Sequence, residues 1–142
     1  MIQISTDKKR LNIALIHEYL SKESYWAKNR EAEIVERSIE NSLCFGVYID
    51  IQQIGFARVV TDYAVFAWIM DVFILEDYQG KGFGKKLISA IMSHDKLQNL
   101  KRWGLATDDA HGLYKQFGFS LLNKPHNMME ISGVKITEAI KK

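Results

Sequence analysis

The sequence predicts an α+β fold of three layers, in which a mixed, mostly antiparallel central sheet carries helices on both faces. Three observations predict it. Apolar residues recur at helical spacing up to Glu40, and the period drops to two from Leu43 onward. The stretch Gln79-Gly80-Lys81-Gly82-Phe83-Gly84-Lys85-Lys86 then separates an apolar run from an amphipathic one, which reads as strand, glycine loop, helix. A chain of 142 residues can bury about two-thirds of its unfolded surface around one core. A single domain over 1–142 is therefore expected, with residues 132–142 as a weakly amphipathic, peripheral tail.

Ile2 and Ile4 alternate with polar neighbours and predict a short strand, after which Ser5, Thr6 and Asp7 are suitable helix caps. Leu11, Leu15, Ile16, Tyr19 and Leu20 predict a first helix, and Ala32, Val35 and Ile39 a second from about Arg30 to Glu40. Between them Tyr25-Trp26-Ala27 sets two large aromatics beside charges, either as the wall of a substrate site or as a staple between helices. Leu43, Phe45, Val47 and Ile49 share one face of a strand, which turns at Asp50-Ile51-Gln52-Gln53 into a second strand through Ile54, Phe56 and Val60. Thr61-Asp62-Tyr63 turns the chain again, into the run from Ala64 to Leu75, so three antiparallel strands form a meander.

After the glycines, Phe83, Leu87 and Ile91 form one stripe of a helix, with Ile88 and Met92 beside them. Trp103 and Leu105 alternate in a strand running to Thr107, and the strand–helix–strand crossover makes it parallel to the long strand. A short helix from Asp109 to Phe117 is expected to end at Gly118. Phe119 and Leu121 then begin a further strand, with Met128, Met129 and Ile131 as its hairpin partner.

Composition narrows the function classes. Hydrophobic residues at 47%, charged residues at 25% and a net charge of +2 are those of an ordinary globular domain, and call for neither nucleic acid nor membrane as partner. The longest apolar run is interrupted by Asp71 and is too short to span a bilayer. The N-terminus lacks a basic-then-apolar leader pattern, so a cytoplasmic protein is expected. The single cysteine, Cys44, excludes an internal disulfide and reads as a buried structural thiol between Leu43 and Phe45. His17-Glu18-Tyr19-Leu20-Ser21 fails the H-E-x-x-H metal motif at its last position, so no metal is expected.

The glycine stretch carries the functional signal. Backbone N–H groups at a helix start, with three lysines around them, suit a phosphate. The dinucleotide fingerprint G-x-G-x-x-G fails, because Lys85 stands where the third glycine belongs, and the G-x-x-x-x-G-K-[ST] loop fails in spacing and hydroxyl. Gln79, Gly82 and Gly84 match instead [Q/R]-x-x-G-x-[G/A]. Downstream, Leu113-Tyr114-Lys115-Gln116-Phe117-Gly118-Phe119 matches L-Y-x-x-x-G-F. With these two motifs and the order of elements over about residues 2–131, the chain resembles the GNAT family of N-acetyltransferases.

That resemblance implies acetyl-CoA as co-substrate, with no metal. N–H groups of Gln79, Gly80, Lys81, Gly82, Phe83 and Gly84 would hold its pyrophosphate, with charge from Lys81 and Lys85. Val72, Phe73 and Ile74 would pair with its pantetheine arm, and an N–H near Phe73 would polarise the thioester carbonyl. Thr107 stands where the family contacts the co-substrate, although the family's frequent Asn hereabouts is missing. Tyr114 matches the general acid for the departing sulfur. An alkylamine is only about one part in a thousand neutral at pH 7, equivalent to roughly 4 kcal/mol of barrier. Asp71 is accordingly read as base or amine anchor, or else as a carboxylate hydrogen-bonded at a strand irregularity or by Arg58. Tyr25, Trp26, Tyr63 and Trp68 are substrate-lining candidates that could equally pack the core. The implied function is acetyl transfer to a primary amine of a small molecule or peptide by direct attack in a ternary complex. A non-catalytic acyl-CoA-binding regulatory module is the alternative. A homodimer is common in the family.

Overall fold

A computed structural model describes residues 1–132. Strands β1 (Gln3–Ser5), β2 (Leu43–Ile49), β3 (Gln52–Thr61), β4 (Phe66–Ile74) and β5 (Arg102–Leu105) form one sheet in sequence order. The first four pair antiparallel and β5 runs parallel to β4, so the sheet is mixed and mostly antiparallel, as expected. The crossover helix α3 (Phe83–Met92) makes the parallel step. The β2–β3 hairpin needs only Asp50 and Ile51 in its turn, because Asp50 adopts φ 53°, a left-handed conformation that Asp tolerates. Gln52 and Gln53 are already in β3. At the next turn one carboxylate oxygen of Asp62 accepts from the N–H groups of Ala64, Val65 and Phe66 at 2.8–3.1 Å.

The alternation of the strands feeds two cores. On one face Phe45, Val47, Ile54, Val59 and Ile69 pack with Leu87, Ile88 and Ile91 of α3 and with Tyr114 of α4 (His111–Lys115). On the other, Cys44, Phe56 and Phe73 pack with Ile16 of α1 (Ile13–Glu18), Leu20, and Val35 and Ile39 of α2 (Ala32–Glu40). Each fully buried aliphatic or phenylalanine side chain stabilises the fold by about 1.5–3 kcal/mol.

Several element boundaries differ from the sequence expectation. Asn12 caps α1, its side chain accepting from the Leu15 N–H at 3.0 Å, while Asp7 caps a short 3-10 turn over Lys8–Arg10. Past Glu18 the helix widens into a π turn over Tyr19–Glu23. No strand follows β5 among the described residues, so the hairpin expected from Phe119 to Ile131 does not form there. Its apolar residues come as the adjacent pairs Leu121-Leu122 and Met128-Met129, which a pleated strand would send to opposite faces. They stay exposed, Leu121 at 72% and Met129 at 94%. Phe119 alone turns inward, edge-on to Trp103 and Tyr114. The expected tail, 132–142, lies outside the described residues apart from Ser132. Among the described residues no helix is long and apolar enough to cross a membrane, and no group of three or more His, Cys, Asp or Glu could hold a metal ion.

Candidate active site

The parallel pair β4–β5 stays joined only from Phe66 to Ile69, against Arg102 to Leu105. Among the described residues β4 then runs on to Ile74 with no strand on that side, bonded to β3 on the other. Its pairing with β3 slips by one residue: Phe73 faces Phe56 and Met70 faces Arg58, so Asp71 and Val72 together oppose Ala57. Such a bulge bends and twists a strand. Asp71 occupies it with φ 55°. Beyond the last rung a cleft of about 600 Å³ opens between Met70–Ile74 and Ala106–Tyr114.

Asp71 is buried at 4% exposure and accepts three hydrogen bonds. Arg58 Nε (2.8 Å) and Arg30 Nη1 (2.9 Å) donate to Oδ2, and Trp26 Nε1 (2.9 Å) donates to Oδ1. Trp26 and Arg30 belong to the α1–α2 loop, which is therefore fastened to the β4 wall. Its neighbour Tyr25 reaches the other wall, where its hydroxyl accepts from the Asp108 N–H at 3.0 Å. The loop straps the two separated strands together. Its own frame is well bonded: the Ala27 N–H donates to Ser24 Oγ, the Asn29 N–H to the Ser21 carbonyl, and His17 Nε2 meets the Arg30 carbonyl at 3.0 Å.

At the end of β4, Gln79 Nε2 donates to the Ile74 carbonyl at 2.8 Å and ties the glycine loop to the strand. Gly80 (φ 77°) and Gly82 (φ 83°) take left-handed conformations that other residues rarely adopt, and Gly82 starts α3. A Cβ at Gly80, Gly82 or Gly84 would meet nothing within 4 Å, so the loop presents bare backbone to open space. Lys81 lies 5.8 Å from the Tyr78 ring. Phe83 turns into the core beneath.

On the facing wall, Thr107 Oγ1 accepts from the Ala110 N–H at 3.1 Å just before α4. Tyr114 follows, 7% exposed. Burial, with smaller effects from Tyr25 and Asp109, pushes its phenol from the usual 10 up to about 12. Tyr19 stacks on Phe73 at 4.0 Å between ring centres, and burial raises its phenol too. Cys44 is buried in the far core, and desolvation pushes its thiol up to about 11, which keeps it protonated and unreactive.

A family model described as an acetyltransferase (GNAT) domain matches residues 40–121, more than half of the chain. The chain belongs to the GNAT acetyltransferase family. A provisionally named GNAT-family acetyltransferase from Xanthomonas campestris pv. campestris is 46% identical in sequence and superimposes with a TM-score of 0.92, each chain covered to 94%. The spermine/spermidine N(1)-acetyltransferase of Bacillus subtilis is 29% identical over 134 residues, 83% of this chain and 86% of the relative. A predicted acetyltransferase from Clostridium acetobutylicum, solved with acetyl-CoA, shares the fold at a TM-score of 0.71 and 15% identity, with coverage of 93% and 96%.

Within this GNAT scaffold, Asp71, Val72, Phe73, Ile74, Gln79, Gly84, Thr107 and Tyr114 line one cleft, together with Tyr25, Trp26 and Trp68. Trp68 is held there by Gly104, where any Cβ would run into its ring. Of the expected residues, Gly80, Lys81, Gly82, Phe83 and Lys85 of the glycine loop lie outside that lining, and Tyr63 does not join it either. It sits exposed in the β3–β4 turn, at the end of β4 away from the glycine loop. Tyr19, Arg30 and Asp109 also line the cleft and were not among the residues expected there. Tyr19 falls in the first helix's apolar pattern and reads as core, and Arg30 reads as a helix start. An arginine four residues after a tryptophan is a weak signal that only a buried acid elsewhere makes legible.

Proposed function

We propose that the chain transfers an acetyl group from acetyl-CoA to a primary amine by direct attack in a ternary complex. One observation carries this: the splayed β4–β5 pair has bare glycine backbone at its end and Tyr114 on its facing wall. The residues present fit the co-substrate. N–H groups at the start of α3, with Lys81 and Lys85, suit the pyrophosphate. The edge of Met70–Ile74 that has no strand partner among the described residues suits the amide-bearing pantetheine arm. Bound acetyl-CoA supplies an acyl group activated as a thioester.

The chain's own groups then divide the proton work. Tyr114 keeps its proton at neutral pH and gives it to the leaving sulfur. Asp71 already accepts from three donors, so we assign it to holding the acceptor wall rather than to proton abstraction. The amine's proton then goes to water or to Asp109, whose charge reaches both Tyr114 and Tyr19. A buried Cys44 with a raised pKa supports transfer without an acyl-enzyme.

Calorimetric titration with acetyl-CoA, followed by thiol release across a panel of amines, tests the proposal. The wild type should bind, and Gly82→Glu should lose binding through repulsion and the strain of a side chain at φ 83°. Unchanged binding in a folded Gly82→Glu protein would sink the co-substrate assignment. Tight binding with no thiol release from any amine would favour a regulatory acyl-CoA-binding module.

A further inference from the structure

The acceptor side of the cleft holds an uneven set of charges. Arg58 and Arg30 share the one carboxylate of Asp71. Arg58, 8% exposed, is satisfied at each nitrogen: Nε by Asp71, Nη1 by Ser42 Oγ at 3.1 Å and Nη2 by Met70 Sδ at 3.4 Å. Arg30 uses only Nη1. Its Nε and Nη2 have no hydrogen-bond partner among the described residues, and its side chain, 20% exposed, lines the cleft. A half-buried guanidinium with donors to spare suits a carboxylate, because its planar fork matches two carboxylate oxygens at once. It is also held in place, with its carbonyl on His17, its N–H on the Ala27 carbonyl and Nη1 on Asp71.

We infer that Arg30 binds a carboxylate of the acceptor, so that the acceptor is an amino acid or another small primary amine bearing a carboxylate. This rests on the reading of the cleft as an acetyl-transfer site. The opposite wall agrees with it, since Asp109 there offers negative charge to an ammonium group close to Tyr114. Trp26 and Trp68 provide apolar surface for the remainder of the molecule. A polyamine has cations at every polar position and nothing to set against Arg30. On this inference the acceptor differs in class from the polyamines in the name of the Bacillus subtilis relative, even though Asp108 and Asp109 also line the cleft.

The test pairs ligands that differ only in the carboxylate: phenylalanine with phenethylamine and leucine with 3-methylbutylamine, with spermidine alongside. Each is titrated against the free protein and against protein with coenzyme A present, following tryptophan fluorescence and heat. A carboxylate-bearing member should bind at least about tenfold tighter than its partner. Arg30→Gln should abolish that preference, and Arg30→Lys should retain part of it, with melting curves verifying that both variants fold. Equal binding within each pair overturns the inference. So does tighter binding of spermidine, a preference that survives in Arg30→Gln, or no binding of either amino acid at millimolar concentration. Thiol release is read separately: carboxylate-selective binding with no release from any amine refutes the catalytic reading, and with it the assignment of the ligand as acceptor, whereas release without carboxylate selectivity refutes the role of Arg30 alone.

Discussion

Replacing Asp71 with Asn keeps the shape of the side chain and removes the charge that two arginines share. Arg58 would be left buried without a counter-ion, a situation that costs about 3–5 kcal/mol. Asp71→Asn should therefore melt lower by about 2–4 °C for each kcal/mol, measured by calorimetry. At Tyr114 the expectation is kinetic. Tyr114→Phe should slow thiol release about 10²-fold and leave acetyl-CoA affinity unchanged, since a coenzyme A thiolate, with a pKa near ~8.5, leaves without much help. With the wild-type phenol raised to about 12, no loss of activity assignable to Tyr114 should appear in a pH profile up to pH 10. Of these two residues, Tyr114 was legible in the sequence because a motif surrounds it. For the lone Asp in the run from Ala64 to Leu75, the alternative of a carboxylate at a strand irregularity or bonded by Arg58 is what the structure shows, on both counts, while Trp26 and Arg30, the latter 41 positions away, were not legible.

Among the elements, the α1–α2 loop stands apart because it binds both walls of the cleft. Trp26→Phe removes the indole donor to Asp71 while keeping an aromatic ring. It should weaken acceptor binding more than acetyl-CoA binding, a difference that paired titrations would reveal; equal losses would count against the loop's role as acceptor wall. The glycine loop is the proposed seat of the other ligand. Its spacing was readable because backbone that must take φ near 80° and present no side chain is restricted to glycine. The α1–α2 loop was only half readable. Tyr25 and Trp26 stand out in the sequence as large aromatics beside charges, but which residues they meet depends on how α1 and α2 sit on the sheet. Tyr63 shows the same limit, since an aromatic next to β4 in sequence can lie at either end of it.

For the molecule as a whole, periodicity carried the meander and the crossover, because burial on two faces leaves a period-two strand little freedom, but it did not place β1 beside β2. It failed past Phe119, where apolar pairs mimic strand content without alternation. Stability should respond to alkali in a definite direction. Folding raises Cys44 from 9 to about 11 and Tyr114 from 10 to about 12, so the unfolded chain sheds both protons first. The stabilisation is complete below about pH 9 and is lost as pH rises through the folded values. Denaturant midpoints should fall over that range, and Cys44→Ala should remove the earlier part of the decline. The early parting of β4 from β5 also leaves a signature in exchange kinetics. Amides of Met70–Ile74 that face the cleft have no strand among the described residues to shield them, so they should exchange with deuterium faster than those bonded to β3. Filling the cleft with coenzyme A should slow those amides selectively, which would map the missing rung of the sheet one proton at a time.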